Sequence, residues 1–472
     1  MLARLILVVT VCTSGATRLA AAAEPGTTAS KSPRQPNIVV ILADDMGYAD
    51  AGFQGCRDIP TPNIDKLAAS GVRCTNGYVT GPYCSPTRAG LLTGRYQQRF
   101  GHEFNPGGQG RAGVTPGLPV SEVTIADRLA AAGYETGIVG KWHLGAAEEF
   151  QPPRRGFEEF FGFLAGAHSY FPPEGAPIYR GTAEVDEREY LTDAFGREAV
   201  AFVEAHRDRP FFLYLAFNAV HTPMQATDER LKRFASISDR QRRTYAAMLV
   251  AMDEAIGDVL DSLSAAQLEQ DTLIFFFSDN GGPTMVGTTQ NGASNAPLRG
   301  SKRTTLEGGV HVPFVVSWPG RLPAGKVYDE PVIQLDVLPT ALAAAGVTAE
   351  IPPEQALDGV DLLPYLEGKN EAAPHEVLYW RMGDQMAIRR GDWKLVRYDT
   401  AADGRAPGIT PSKLYNLAED IGESRDLADA KPELASELNA LWQTWSSQMS
   451  EPLWGAGRGR PQGGRKRNAR ED

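Results

Sequence analysis

Four apolar runs punctuate the first three hundred residues, and each stops abruptly at polar ones. Asn37-Ile38-Val39-Val40-Ile41-Leu42-Ala43 ends in Asp44-Asp45, and Thr136-Gly137-Ile138-Val139-Gly140 ends in Lys141-Trp142-His143. Phe211 to Phe217 leads into Asn218 and His221-Thr222-Pro223, and Thr272 to Phe277 leads into Ser278-Asp279-Asn280-Gly281-Gly282. Short continuous apolar runs without alternation read as strands buried on both faces of a parallel sheet. Between them the spacing predicts helices over 63–70, stopped by Gly71, over 124–132, stopped by Gly133, and from Asp239 to about Leu263. A strand over 312–318 and a helix near 335–345 extend the series. This alternation predicts an α/β fold: a large mixed, mostly parallel sheet flanked by helices, with its site outside the carboxyl ends of the strands.

After Pro374 the pattern shortens. Runs at 377–380, 386–389, 393–398 and 413–417 alternate and are separated by turn residues such as Gly391-Asp392, which predicts a small antiparallel sheet. A helix from Glu433 to about Met449 follows. These patterns divide the chain into an α/β domain over 36–372 and a small antiparallel-sheet subdomain over 373–450. The Gly/Pro-rich stretch 105–119 reads as a surface loop.

Composition changes the picture mainly at the ends. Arg4, the apolar run Leu5 to Cys12 and Ala21-Ala22-Ala23 before Glu24 read as a signal peptide over 1–23, which predicts export to the periplasm or the exterior. Residues 455–472, with six arginines and lysines among Gly and Pro, read as a disordered basic tail. No later run is long and apolar enough to serve as a transmembrane anchor. A formal net charge of −11 argues against a nucleic-acid partner, and an anionic substrate would need basic residues gathered locally against the overall field. Beyond the leader lie Cys56, Cys74 and Cys84, an odd number in an exported chain. At least one is therefore unpaired or modified, and whether Cys56 and Cys74 pair stays open.

Three sets of residues carry candidate chemistry. In Cys84-Ser85-Pro86-Thr87-Arg88, Ser85 reads as an N-cap and Pro86 as the first helical residue, placing Cys84 at a helix N-terminus with Arg88 in the first turn. Such a place suits a thiolate nucleophile or an oxyanion substrate. Asp44, Asp45, Asp279 and Asn280 offer only oxygen at two strand ends, a donor set that selects Ca²⁺ or Mg²⁺ over Zn²⁺. Arg88, Lys141, His143, His221 and Lys302 come from four segments facing the same edge, and together they would hold a tetrahedral anion. Arg154, Arg155, His168, Ser169 and Tyr170 are candidates for lining a sugar-binding pocket.

Cys84-Ser85-Pro86-Thr87-Arg88 with Leu92-Thr93-Gly94-Arg95 resembles the signature of the formylglycine-dependent type I sulfatases, within the alkaline phosphatase superfamily. The resemblance runs from about Pro36 to Leu427 and extends to secreted bacterial polysaccharide sulfatases and to the arylsulfatase A and N-acetylgalactosamine sulfatase group. It implies an alkaline phosphatase-like fold and a secreted hydrolase of sulfate monoesters, on carbohydrates more than on aryl groups. It implies that Cys84 is oxidised to formylglycine by a maturation enzyme, that the hydrated gem-diol attacks sulfur, and that Asp44, Asp45, residue 84, Asp279 and Asn280 bind one Ca²⁺, in preference to Mg²⁺. By the same carry-over Arg88 and Lys141 hold residue 84 and the sulfate, His143 helps collapse the sulfated gem-diol, and His221 with Lys302 binds sulfate and assists the leaving group. His168 is the further substrate-binding candidate. The alternatives are a broad arylsulfatase, a phosphate or phosphonate monoester hydrolase of the same superfamily, and a silent binding protein whose Cys84 stays a thiol.

Overall fold

The computed structural model describes residues 5–12, 35–107, 111–286, 288–348 and 350–455. Of the expected signal peptide only residues 5–12 are among them, exposed and in neither helix nor strand. The expected basic tail lies outside the described residues beyond Gly455.

The strands in chain order begin with β1 (Asn37–Ala43), β2 (Val72–Cys74), β3 (Gly77–Tyr78), β4 (Glu135–Lys141), β5 (Glu159–Phe163), β6 (Ile178–Arg180), β7 (Ala183–Val185) and β8 (Phe211–Ala216). They continue with β9 (Thr272–Ser278), β10 (Phe314–Ser317), β11 (Lys326–Tyr328), β12 (Val332–Ile333), β13 (Val377–Met382), β14 (Gln385–Arg390), β15 (Trp393–Arg397) and β16 (Lys413–Asn416). The helices are α1 (Pro62–Ser70), α2 (Cys84–Thr93), α3 (Ile125–Ala131), α4 (Leu191–His206), α5 (Asp228–Arg233), α6 (Arg240–Ala265), α7 (Glu307–Val310), α8 (Val337–Ala344), α9 (Leu363–Leu366) and α10 (Pro432–Ser447).

Ten strands form one sheet in the order β11-β2-β10-β9-β1-β8-β4-β5-β6-β7. The four apolar runs are its parallel centre, β9-β1-β8-β4, whereas β10 runs antiparallel to β9. All seven residues of β1 are buried. Val39 and Ile41 pack on one face against α1, α4 and α6, while Ile38, Val40 and Leu42 pack on the other against α2, α3 and α8. Burial on both faces is why these strands show no polar alternation. Register then fixes where the site falls. Leu42, Phe277, Ala216 and Gly140 stand side by side across four strands, so the residues just beyond them leave the sheet at one level.

The small sheet β13-β14-β15-β16 is antiparallel throughout, with α10 against it. It packs onto the α/β body through Trp380, whose ring joins Tyr78, Val310 and Ile333 and whose Nε1 donates to the Val79 carbonyl at 2.7 Å. A buried polar cluster spans the same junction. Lys394 Nζ stands 2.7 Å from Glu307 Oε1 and 3.0 Å from Glu423 Oε1, and the Glu307 backbone N–H donates to Glu423 Oε2 at 2.7 Å. The four cysteines are free: Cys74 is buried in β2, Cys56 is partly exposed, and no disulfide joins them. Among the described residues no helix is long and apolar enough to cross a membrane.

Candidate active site

Asp44 and Asp45 follow β1 directly, and Asp279 and Asn280 follow β9, which pairs with β1 so that Ala43 is opposite Ser278. The sheet thus delivers both pairs side by side. One ligand atom from each of Asp44, Asp45, Asp279 and Cys84 lies within 4.8 Å of all the others, and all four residues are buried. Asp45 has φ +63°, and its N–H donates to Asp279 Oδ1 at 3.2 Å. Asn291, which the sequence did not single out, holds this turn: its Nδ2 donates to the carbonyls of Asp45 at 3.1 Å and Val220 at 2.9 Å. An asparagine in an irregular Gly-rich loop carries no periodic signal that would have found it.

Each carboxylate has a cation beside it. Lys141 Nζ is 2.5 Å from Asp44 Oδ2, Lys302 Nζ is 2.8 Å from Asp45 Oδ2, and Arg88 reaches Asp279 Oδ2 through Nε at 3.0 Å and Nη2 at 2.8 Å. Burial pushes the Asp44 carboxyl up, but Lys141, His221 and Arg88 outweigh it and hold it ionised below its ordinary value. Lys302 Nζ also lies 3.1 Å from Cys84 Sγ and 5.6 Å from the centre of the Tyr83 ring. Burial, reinforced by the Asp279 charge, nevertheless drives the Cys84 thiol well above its ordinary value.

The helix start differs from expectation. α2 begins at Cys84 itself with Tyr83 as its N-cap, which makes no side-chain cap bond. The Ser85 hydroxyl instead donates to the His143 carbonyl at 2.7 Å, with His102 Nε2 at 2.6 Å, so tertiary contacts take the group that the pattern assigned to capping.

His143 has φ +62°, and Gly166 makes room for its ring, since a Cβ there would stand 2.5 Å from Nε2. Its Nδ1 is buried without a hydrogen-bond partner. Burial and then the Lys141 charge hold the imidazole far below its ordinary pKa, hence neutral. His221, at the more exposed side, places Nε2 3.6 Å from Asp45 Oδ2 and engages the Thr222 carbonyl through Nδ1 at 2.6 Å. Burial lowers its pKa, although Asp44 and Asp45 oppose this.

The structure thus brings Asp44, Asp45, Cys84, Arg88, Lys141, His143, His221, Asp279, Asn280 and Lys302 together. The second group serves the scaffold. Both ring nitrogens of His168 face backbone carbonyls, Ser169 at 2.6 Å and Ala176 at 2.5 Å, leaving neither for a substrate. Arg155 is buried and donates to the carbonyls of Leu118 and Glu122, and Arg154 pairs with Glu148 on the surface. Ser169 Oγ bonds Gln225, and Tyr170 Oη donates to the carbonyls of Asn218 and His221, shaping the loop that carries His221.

A sulfatase family model matches residues 36–347, and a model of the N-sulphoglucosamine sulphohydrolase C-terminal region matches residues 300–448. N-acetylgalactosamine-6-sulfatase of Homo sapiens is 36% identical over 464 residues, covering 88% of this chain and 86% of that protein. Arylsulfatase A of Bos taurus is 36% identical over 465 residues, covering 88% and 87%. The crystal structure of Ps i-CgsB in complex with k-i-k-neocarrahexaose matches with a TM-score of 0.81 at 37% identity, covering 89% of this chain and 95% of that one. The phosphonate monoester hydrolase of Agrobacterium radiobacter shares the fold alone, with a TM-score of 0.61 at 20% identity over 88% and 95%. A matched region of this length, over a sheet whose strand ends carry the expected polar cluster, makes the chain a sulfuric ester hydrolase belonging to the sulfatase family.

Proposed function

We propose that the chain hydrolyses sulfate monoesters of carbohydrates, with residue 84 acting after oxidation to formylglycine beside a bound Ca²⁺. The observation that carries this is the setting of Cys84. A buried sulfur grouped with three carboxylates, with Lys302 Nζ 3.1 Å from it, stands where an oxygen donor would join a set of hard ligands.

The donor set fits the ion. Asp44, Asp45, Asp279 and Asn280 present only hard donors, and Asn280 Oδ1 is buried with no hydrogen-bond partner, an orphan acceptor that a cation would satisfy. These residues with residue 84 would hold Ca²⁺, which supplies positive charge to the reacting oxygens. The hydrated aldehyde supplies an oxygen nucleophile and afterwards a hydroxyl that can expel sulfate.

The remaining roles belong to the chain's own groups. Arg88, anchored on Asp279, also donates through Nη1 to the Lys141 carbonyl at 3.1 Å and so braces the strand end that carries the lysine. Lys141 and Lys302 bring two ammonium groups to a buried pocket, where charge on sulfate oxygens is stabilised more than in water. Neutral His143 has a free Nδ1 to take a proton from residue 84. His221, with Nε2 beside Asp45, is placed with Lys302 to bind the sulfate and assist departure of the sugar oxygen.

Sugar esters are favoured because the similar proteins at 36–37% identity include the galactosamine sulfatase and a protein crystallised with a neocarrahexaose. The leader pattern supports export to the periplasm or the exterior, where such polymers are met. The test is protein produced with its maturation enzyme, residue 84 identified by peptide mass spectrometry, and assayed on sulfated saccharides, an aryl sulfate and matched phosphate esters. Formylglycine at 84 with sulfate released from saccharides is expected. An unmodified cysteine in the native host, or preferential turnover of the phosphate esters, would overturn the proposal.

A further inference from the structure

Arg303, the residue after Lys302, has φ +75°, a left-handed conformation that long side chains rarely adopt. Two hydrogen bonds hold it there: its N–H donates to the Pro82 carbonyl at 2.7 Å, and Gln385 Nε2 donates to its own carbonyl at 2.9 Å. Pro82 lies two residues before Cys84, and Gln385 opens β14. The peptide of Arg303 is therefore clamped between the nucleophile's loop and the small sheet. Strain of this kind persists only where the surroundings over-determine it, and it gathers at ligand clamps.

The side chain that this strain presents is exposed, and among the described residues its guanidinium makes no hydrogen bond or ion pair. The nearby cations differ in this respect. Arg88 is spent on Asp279, Lys141 on Asp44, Lys302 on Asp45, and Arg299 on Tyr398 and Asp403. The buried three suffice for the reacting sulfate. A free planar cation on a peptide tied to the loop of residue 84 matches a second oxyanion, which a guanidinium can hold through two parallel bonds. In a chain of net charge −11, a polyanion is held only where local cations offset the overall field.

We propose that Arg303 is a specificity-determining residue that binds a second anionic group, a sulfate ester or a carboxylate, on the sugar adjoining the one being desulfated. This rests on the assignment of the site to sulfated carbohydrates. It adds a preference for substrates carrying charge on two neighbouring units.

Matched oligosaccharides with the same scissile sulfate, with and without an anionic group on the neighbouring sugar, test it, beside an aryl sulfate that reports the matured site. Arg303→Gly accepts the positive φ and so keeps the loop, and Arg303→Gln keeps the length without the charge. Both should lose roughly tenfold in kcat/KM on the doubly anionic substrate relative to the singly anionic one, mainly through KM. Arg303→Lys should restore part of the preference, and added salt should narrow it in the parent enzyme. Equal loss on both substrates, or no loss, would overturn the proposal and leave Arg303 a solvated turn residue. A matured parent enzyme silent on every sulfate ester would instead overturn the assignment beneath it.

Discussion

Individual side chains in this site do opposite things with the same chemistry. His143 and His168 lie on neighbouring loops, and both were candidates for contact with substrate. His168 spends both nitrogens on backbone carbonyls, whereas His143 keeps Nδ1 unpartnered in a buried, cation-rich pocket. A buried nitrogen without a partner is costly, and under the proposed mechanism it is free to take a proton. Because His143→Ala removes no hydrogen bond from Nδ1, the variant should fold while kcat falls by about 10²–10⁴, the usual worth of a proton-transfer group. Single-turnover kinetics with mass spectrometry of residue 84 should show the sulfated enzyme accumulating, and an unchanged kcat would remove His143 from the reaction.

At the scale of elements, the small sheet is fastened to the α/β body by charge as well as by Trp380. Lys394 on β15 serves both Glu307 at the start of α7 and Glu423 beyond β16. Burial, together with the nearby Glu307 carboxylate and despite Lys394, pushes Glu423 up to about 7 from an ordinary 4.5. Between those values the folded chain binds a proton that the unfolded chain releases, so this group's contribution to stability falls as pH rises from about 4.5 to about 7. Glu423→Gln should abolish that slope by the linkage of pKa to free energy. Denaturant unfolding at a series of pH values measures it. A difference between parent and variant that stays flat across the window would show that Glu423 titrates normally.

At the scale of the whole molecule, the ion site gathers parts that are far apart in the chain. Asp44 and Asp45, Cys84, and Asp279 and Asn280 come from the β1, α2 and β9 regions, so the proposed ion, held by all of them, would tie these segments together. Removing Ca²⁺ with a chelator should therefore lower Tm as well as abolish turnover. An ion at 100 times its Kd is worth about 2.7 kcal/mol by mass action. Readdition of Ca²⁺ should restore both, and a chelator-insensitive Tm and rate would count against the site.

Much of this was legible in the chain because a strand buried on both faces must be apolar along its length. Its end is then marked by the first polar residue, and β1, β4, β8 and β9 were each signalled in this way. The oxygen ligands at those ends and the motif at Cys84 were visible for the same reason. The sequence did not show that Ser85 would bond His143 rather than cap α2, that Asn291 would support the turn at Asp45, that His168 would close its own loop, or that Glu423 would meet Glu307 where the small sheet packs on the α/β body. Local pattern determined the strands, the helices and the identity of the reacting groups, because burial and periodicity act within a few residues. Tertiary structure decided which polar groups are free and which are spent, because a hydrogen-bond partner is chosen by proximity in space, between residues that can lie more than two hundred positions apart.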